Sequence, residues 1–237
     1  MWLLWALSAF AAEPTIEELL EATDDVSRGK SSKATLEMQV KTSRYERTMK
    51  MQAFSQGTEK SLIRILEPAK DAGISTLKVE ENLWNYLPKV DRTMKVPAGM
   101  MSGAWMGSHF SNDDLVRENR LSEEFTFSWV SKPEDGKGNY VIQCVPKPDA
   151  PVVWGKVLVE VRPDKVPVKI DYFDEKAELV RTMEFFDVQE VDGQLAPMRF
   201  RLVPHDKPGE FTEMRYADLE LDVELDAKLF SLQALKK

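Results

Sequence analysis

A chain of 237 residues with a net charge of −8 and a pI near 5.0 is unsuited to binding a phosphate backbone, which relies on clustered cations that displace counterions, so no nucleic-acid partner is expected. Hydrophobic residues at 43% and charged residues at 30% exclude disordered and membrane-embedded classes, and the length fits one globular domain. The single cysteine, Cys144, cannot close an internal disulfide.

The chain opens with MWLLWALSAFAA, an apolar run ending in Ala9-Phe10-Ala11, the small-x-small pattern that secretory peptidases accept. Residues 1–11 are therefore read as a signal peptide and residues 12–237 as one mature domain. The run carries no Lys or Arg and is shorter than the ~20 apolar residues that span a bilayer; no later stretch reaches that length, so no integral membrane segment is expected in the mature chain. No cysteine follows the small residues, so acylation there is not expected either.

Next, EPTIEELLEATDDVSRGK spaces Ile16, Leu19, Leu20 and Val26 as one helix face, opened by the capping box Thr15-x-x-Glu18 and stopped at Gly29. The period then changes to two. Leu36, Met38 and Val40 alternate with Glu37, Gln39 and Lys41, which puts the apolar set on one sheet face. Similar segments continue to EFTEMRYADLEL, separated by turn residues such as Pro68, Gly73, Gly138, Pro163 and Gly193. This pattern predicts a mainly β fold, a single strongly curved antiparallel sheet forming an unclosed half-barrel.

Several strands carry large residues on one face: Phe125, Phe127 and Trp129; Leu179, Met183 and Phe185; Met198, Phe200 and Leu202. The regular cover available to them is one N-terminal helix and the irregular middle stretch. That thin cover predicts an apolar cavity of the kind found in the mouths of β-barrels, with Phe125, Phe127, Trp129, Met183, Phe185, Met198, Phe200 and Leu202 as its lining.

Catalytic and metal chemistry finds little support. There is no phosphate loop, zinc-spaced cysteine set or nucleophile elbow. His109 and Asp113 stand four apart, but two ligands do not make a metal site, and a solvated polar patch is the simpler reading. Asp113-Asp114 supplies negative charge at the start of a short helix capped by Ser111. Period two places Cys144 beside Tyr140 and Ile142 as a buried apolar group. The glycines at 99, 103 and 107 suit a mobile loop, so GAWMGSHFSNDDL is expected to be a glycine-hinged lid with Trp105, Met106 and Phe110 over the cavity mouth.

The stretches LWNYLPKVDRTMKV and GAWMGSHFSNDDL resemble a branch of larger members in the LolA-like family of periplasmic outer-membrane lipoprotein-sorting proteins. Trp84, Tyr86, Pro88, Arg92, Trp105, Met106, Gly107, Ser108, Phe110, Asp114 and Leu115 match its motif; His109 departs from an acidic residue, and Trp105 replaces a more usual phenylalanine. KIDYFDEKAELVRTMEFFDVQEVDGQLAPMRF and LDAKLFSL are similar to it as well. The resemblance implies an unclosed sheet covered by helices whose interior holds acyl chains of a lipoprotein or lipid in transit through the periplasm toward the outer membrane. That protein would be a carrier without cofactor, metal or catalytic residues. The alternative is an accessory protein that docks on an inner-membrane transporter complex and carries no lipid itself.

Overall fold

The computed structural model describes residues 13–26, 28–116, 121–134 and 137–236; the proposed signal peptide at residues 1–11 lies outside them. Helix α1 (Ile16–Asp25) begins where the Glu18 amide donates to Thr15 Oγ1 at 3.2 Å, with Glu17 and Glu18 in the first turn complementing the helix dipole. Its exit requires glycine. Gly29 has φ +54, and a Cβ there would lie 2.7 Å from Asp222 Oδ1, the oxygen that accepts the Lys30 amide at 2.7 Å.

Six strands follow: β1 (Ser31–Lys41), β2 (Glu46–Gln56), β3 (Lys60–Glu67), β4 (Ser75–Val79), β5 (Asn82–Leu87) and β6 (Arg92–Lys95). The chain then runs through α2 (Asn112–Val116) and α3 (Leu121–Glu124) into β7 (Phe125–Ser131), β8 (Tyr140–Pro146), β9 (Lys156–Val161) and β10 (Pro167–Phe173). The last three strands are β11 (Leu179–Val191), β12 (Gln194–Pro204) and β13 (Phe211–Leu221). All thirteen form one antiparallel sheet in the order β6-β5-β4-β3-β2-β1-β13-β12-β11-β10-β9-β8-β7. The sheet is not closed into a barrel, in agreement with the fold class read from the alternation. Neighbours are consecutive except at β1–β13, where the first and last strands pair. Consequently β6 and β7, consecutive in sequence, become the two edges, and residues 96–116 form a crossing segment between them.

Two clusters occupy the inner face. Leu19 and Leu20 of α1, both fully buried, pack on Ile142, Cys144, Val157, Val159 and Ile170. Burial pushes the Cys144 thiol up to about 12, so it stays a neutral apolar group. The crossing segment inserts Trp105 and Phe110 against Leu36, Met38, Met49, Met51 and Ile65.

The outer face is covered too, which the thin-cover argument did not anticipate. Leu62, Leu77 and Tyr86 are buried there beneath Phe230, Ala234 and Leu235 of the C-terminal segment, with Phe54 and Trp84 at its margin. Arg64 ties that segment down by donating to the Ala234 carbonyl at 2.6 Å. Strands β3 to β5 thus have apolar residues on both faces, as strands covered on both sides do.

The approach of β9 to the turn after β10 is testable. A Cβ on Gly155 would sit 2.4 Å from the Asp174 carbonyl oxygen and 2.8 Å from Glu175 Cα. Those are backbone atoms that cannot swing away. Gly155→Ala should therefore cost about 1–3 kcal/mol in urea unfolding, as overpacking does. Gly99→Ala, with nothing within 4 Å of the added carbon, should stay within about 0.5 kcal/mol. Equal stability of the two variants would contradict the described packing.

Candidate functional site

The main cavity measures about 750 Å³ and is lined by residues from both ends of the sheet, Lys78 on β4 and Phe125 on β7 among them. The sheet is therefore bent around it. One wall carries Leu36, Met51 and Ile63, the opposite wall Met183, Phe185 and Phe200, and the crossing segment contributes Trp105 and Phe110. Phe200 meets Phe110 edge-on at 6.3 Å and Phe185 at 6.3 Å, giving an aromatic corner.

The crossing segment is pinned at several points. Trp105 is 1% exposed, and its indole donates to Thr76 Oγ1 at 3.1 Å, which in turn donates to Asn85 Oδ1 at 2.7 Å. Met106 and Gly107 both have positive φ. Their carbonyls accept from Arg47 and from the Tyr45 hydroxyl. His109 does not lie in a solvated patch. Its side chain is 7% exposed, Nε2 bonds to Glu210 at 3.0 Å, and Nδ1 and the backbone amide meet Thr212 Oγ1 at 2.9 and 3.0 Å. The His109 bond, aided by the Ser43 amide, holds the Glu210 carboxyl down at about 2. The expected glycine-hinged lid is in this structure a strap fastened to three separate turns and strands.

Asp114 makes a further fastening. It accepts the Ser111 amide at 2.7 Å while Ser111 Oγ accepts the Asp114 amide at 3.0 Å, a reciprocal cap on α2. It also receives Arg181 Nη1 and Nη2 at 2.9 and 2.6 Å. Arg181 lies over two adjoining aromatic rings, its guanidinium 4.5 Å from the Trp154 centroid and 4.6 Å from that of Tyr172. Burial would raise the Asp114 carboxyl, but Arg181 and Ser111 outweigh it and hold the group below the ordinary range. Arg181 was legible in ELVRTMEFF, since it shares parity with Met183 and Phe185. Its partner was not, because 67 residues separate them.

Four of the eight expected lining residues, Phe125, Met183, Phe185 and Phe200, line the cavity. Phe127 and Trp129 instead pack against the cluster under α1. Met198 belongs to a separate cluster with Ala34, Ala196 and Leu219, and Leu202 is fully buried in the core. Among the motif residues, Trp105, Phe110 and Asp114 line the same cavity, whereas Met106 and Gly107 border a second one of about 450 Å³ beside Tyr45 and Arg47. Trp84 and Tyr86 belong to the outer face, and Arg92 is exposed at the β6 edge. Leu179 is 37% exposed at the start of β11.

A buried carboxyl at the cavity wall went unnoticed in the sequence. Asp24 is 8% exposed, lines the cavity, and has no hydrogen-bond partner at Oδ1 among the described residues. Burial, then the charge of Asp25, pushes it up to about 8, with Glu123 adding to the rise and Arg28 and the Leu121 backbone opposing it. Nothing in EATDDV distinguishes Asp24 from Asp25 except helical phase, which puts Asp24 on the side of Leu20. Among the described residues, no group of three His, Cys, Asp or Glu side chains is placed to hold a metal ion.

A family model whose description reads "Uncharacterized protein" matches residues 57–237, and the chain belongs to that family. No curated protein matches the chain. Solved structures that share its fold include the following three. One, a DUF1329 family protein from Desulfovibrio piger, aligns with a TM-score of 0.81 at 23% identity over 92% of this chain and 97% of its own. Another is described as an outer membrane lipoprotein-sorting protein domain from Vibrio parahaemolyticus, with a TM-score of 0.78 at 24% identity over 93% and 98%. A LolA superfamily protein from Nitrosomonas europaea gives 0.74 at 22% identity over 93% and 99%. The chain thus shares the fold of these three proteins.

Two predictions come from these side chains. Breaking a buried charge pair leaves an uncompensated charge and typically costs about 3–5 kcal/mol. Asp114→Asn and Arg181→Met should each approach that range in urea unfolding, with a double variant well short of the sum; additive small effects would show that the pair does not fasten the strap. For Asp24, the folded carboxyl keeps its proton up to about 8 while the unfolded one releases it near 3.8. Unfolding in that window releases a proton, so stability falls as pH rises through it. Asp24→Asn should flatten this decline in thermal unfolding measured against pH; parallel profiles for the two proteins would refute it.

Proposed function

We propose that this chain, a member of that family with the LolA-superfamily fold, is a periplasmic carrier that holds acyl chains of a lipid or lipoprotein in the inner cavity. It passes them toward the outer membrane without chemical change. In this reading residues 1–11 are removed on export and residues 12–237 form one carrier domain. The observation that carries it is the cavity of about 750 Å³, walled by Leu36, Met51, Met183, Phe185 and Phe200. That size lies within the range of ligand pockets. Burying ten methylenes at about 0.8 kcal/mol each contributes about 8 kcal/mol before ordering costs, enough for micromolar binding. The lipoprotein-sorting description of the Vibrio parahaemolyticus neighbour supports a lipidated cargo.

Displacement of a fluorescent fatty acid tests this directly. Phe185→Asp should weaken binding by about tenfold or more, because a charge opposes acyl burial. Phe185→Leu, which keeps the wall apolar, should remain within about threefold of wild type, a change of the size expected for tolerated apolar swaps. Lipid extraction and mass spectrometry of protein purified without detergent should recover bound acyl lipid. A well-folded wild-type protein that displaces no probe would end the carrier reading.

A further inference from the structure

Four inward-facing side chains form one row across the sheet. Ser32 on β1 is opposite Ser55 on β2, Ser55 is opposite Ser61 on β3, and Ser61 is opposite Lys78 on β4. All four line the cavity. The next inward row along these strands is Ala34, Ala53, Ile63 and Thr76, and the one after it holds Leu36, Met51 and Ile65. Same-face rows are two residues apart, roughly 7 Å. The wall therefore changes from hydroxyl and ammonium to wholly apolar within about 14 Å, less than the length of a long acyl chain.

The polar row is rich in donors. Lys78 is 2% exposed and Ser32 7%. Lys78 Nζ donates to the Thr58 carbonyl at 2.6 Å, and Ser32 and Ser55 share one hydrogen bond of 2.7 Å, which leaves one of their two hydroxyl protons for another acceptor. Ser61 makes no side-chain hydrogen bond to a described residue. Arg28, just before Ser32 in the chain, also lines the cavity. The acidic residues that line it, Asp24, Asp113, Asp114 and Glu124, lie on or next to the three helices, and Asp114 is paired with Arg181.

The geometry points to a headgroup subsite: the Ser32–Ser55–Ser61–Lys78 row receives the anionic phosphate or carboxylate of an amphiphile whose acyl tail lies along the apolar rows. This rests on the acyl-carrier reading and adds the class of ligand. A buried cation beside hydroxyl donors rewards an anion with charge-assisted hydrogen bonds and gives a neutral headgroup much less. It also orients the tail, since reversing the ligand would put the anion against Leu36 and Met51.

Two probes that differ only in the phosphate separate the possibilities, 1-oleoyl lysophosphatidate and monooleoylglycerol, each titrated below its micelle threshold by calorimetry. Wild type should prefer lysophosphatidate by about tenfold or more, in line with a charge-assisted contact. Lys78→Met should bring the two affinities within roughly twofold by weakening lysophosphatidate alone. Ser61→Asp, which keeps Lys78 and adds a repelling carboxylate, should weaken lysophosphatidate while sparing monooleoylglycerol, and serves if Lys78→Met does not fold. Equal wild-type affinities, or variants that weaken both probes alike, would overturn the subsite. Inorganic phosphate binding as tightly as lysophosphatidate would overturn it also, since the row would then be an anion site independent of the tail. If folded wild type binds neither probe, the carrier reading itself fails.

Discussion

Strands β6 and β7 follow one another in the chain yet form opposite edges of the thirteen-stranded sheet, so the segment between them has to travel across it. A bent sheet presents its inner face to that path. The segment consequently becomes a roof, and the space it does not fill becomes the cavity. The same arrangement requires β1 and β13 to pair in the middle, where ten residue pairs hold the first strand to the last. The loop-closure entropy of that long-range pairing is offset by the inner-face cluster around Met38 and Trp105.

The roof keeps its own shape through backbone hydrogen bonds such as Trp105 to Phe110, Asn112 to Gly103 and Asp113 to Met101, and its place over the cavity comes from side chains on the sheet below. Trp105 with Thr76, the carbonyls of Met106 and Gly107 with Arg47 and Tyr45, and His109 with Glu210 and Thr212 fasten one end. Asp114 with Arg181 fastens the other. Together these bonds fix the strap's position over the cavity. The exposed Met100, at 62%, lies before the first pin, so opening from that side disturbs the fewest of these contacts.

A shared fold supplies the frame, while what such a frame can accept is decided by the side chains that line it. Here the inner wall is graded along the strands of β1 to β4, with serines and a buried lysine at one end and leucine, methionine and isoleucine further in. On the other side, the aromatic corner of Phe110, Phe185 and Phe200 offers broad apolar contact without shape-specific hydrogen bonding. If the cavity holds acyl chains as proposed, such a lining discriminates poorly between chains of similar length and better between their headgroups.

The alternation of Leu36, Met38 and Val40, and its repetition to the C-terminal strand, determined by itself that the chain is built of β-strands with one apolar face, and the short turns between them favoured antiparallel neighbours; that all thirteen share one sheet was decided by the pairing of β1 with β13. Thr15 and Glu18 likewise determined the start of α1, and Ser111 that of α2, since capping is decided within four residues. Phe125, Met183, Phe185 and Phe200 were legible as cavity lining from large residues sharing a face. Local pattern could not tell that Phe127 and Trp129 pack under α1 or that Met198 packs elsewhere, because which part of a face is covered depends on distant segments. The burial of Lys78 has the same origin: the C-terminal segment covers the side of Leu77, so the lysine turns inward, which its neighbours along the chain do not disclose. His109 with Glu210, Asp114 with Arg181 and the serine row were decided only by the tertiary structure. Each joins residues on different strands or turns, and strand pairing sets their proximity while leaving no trace in the spacing along the chain.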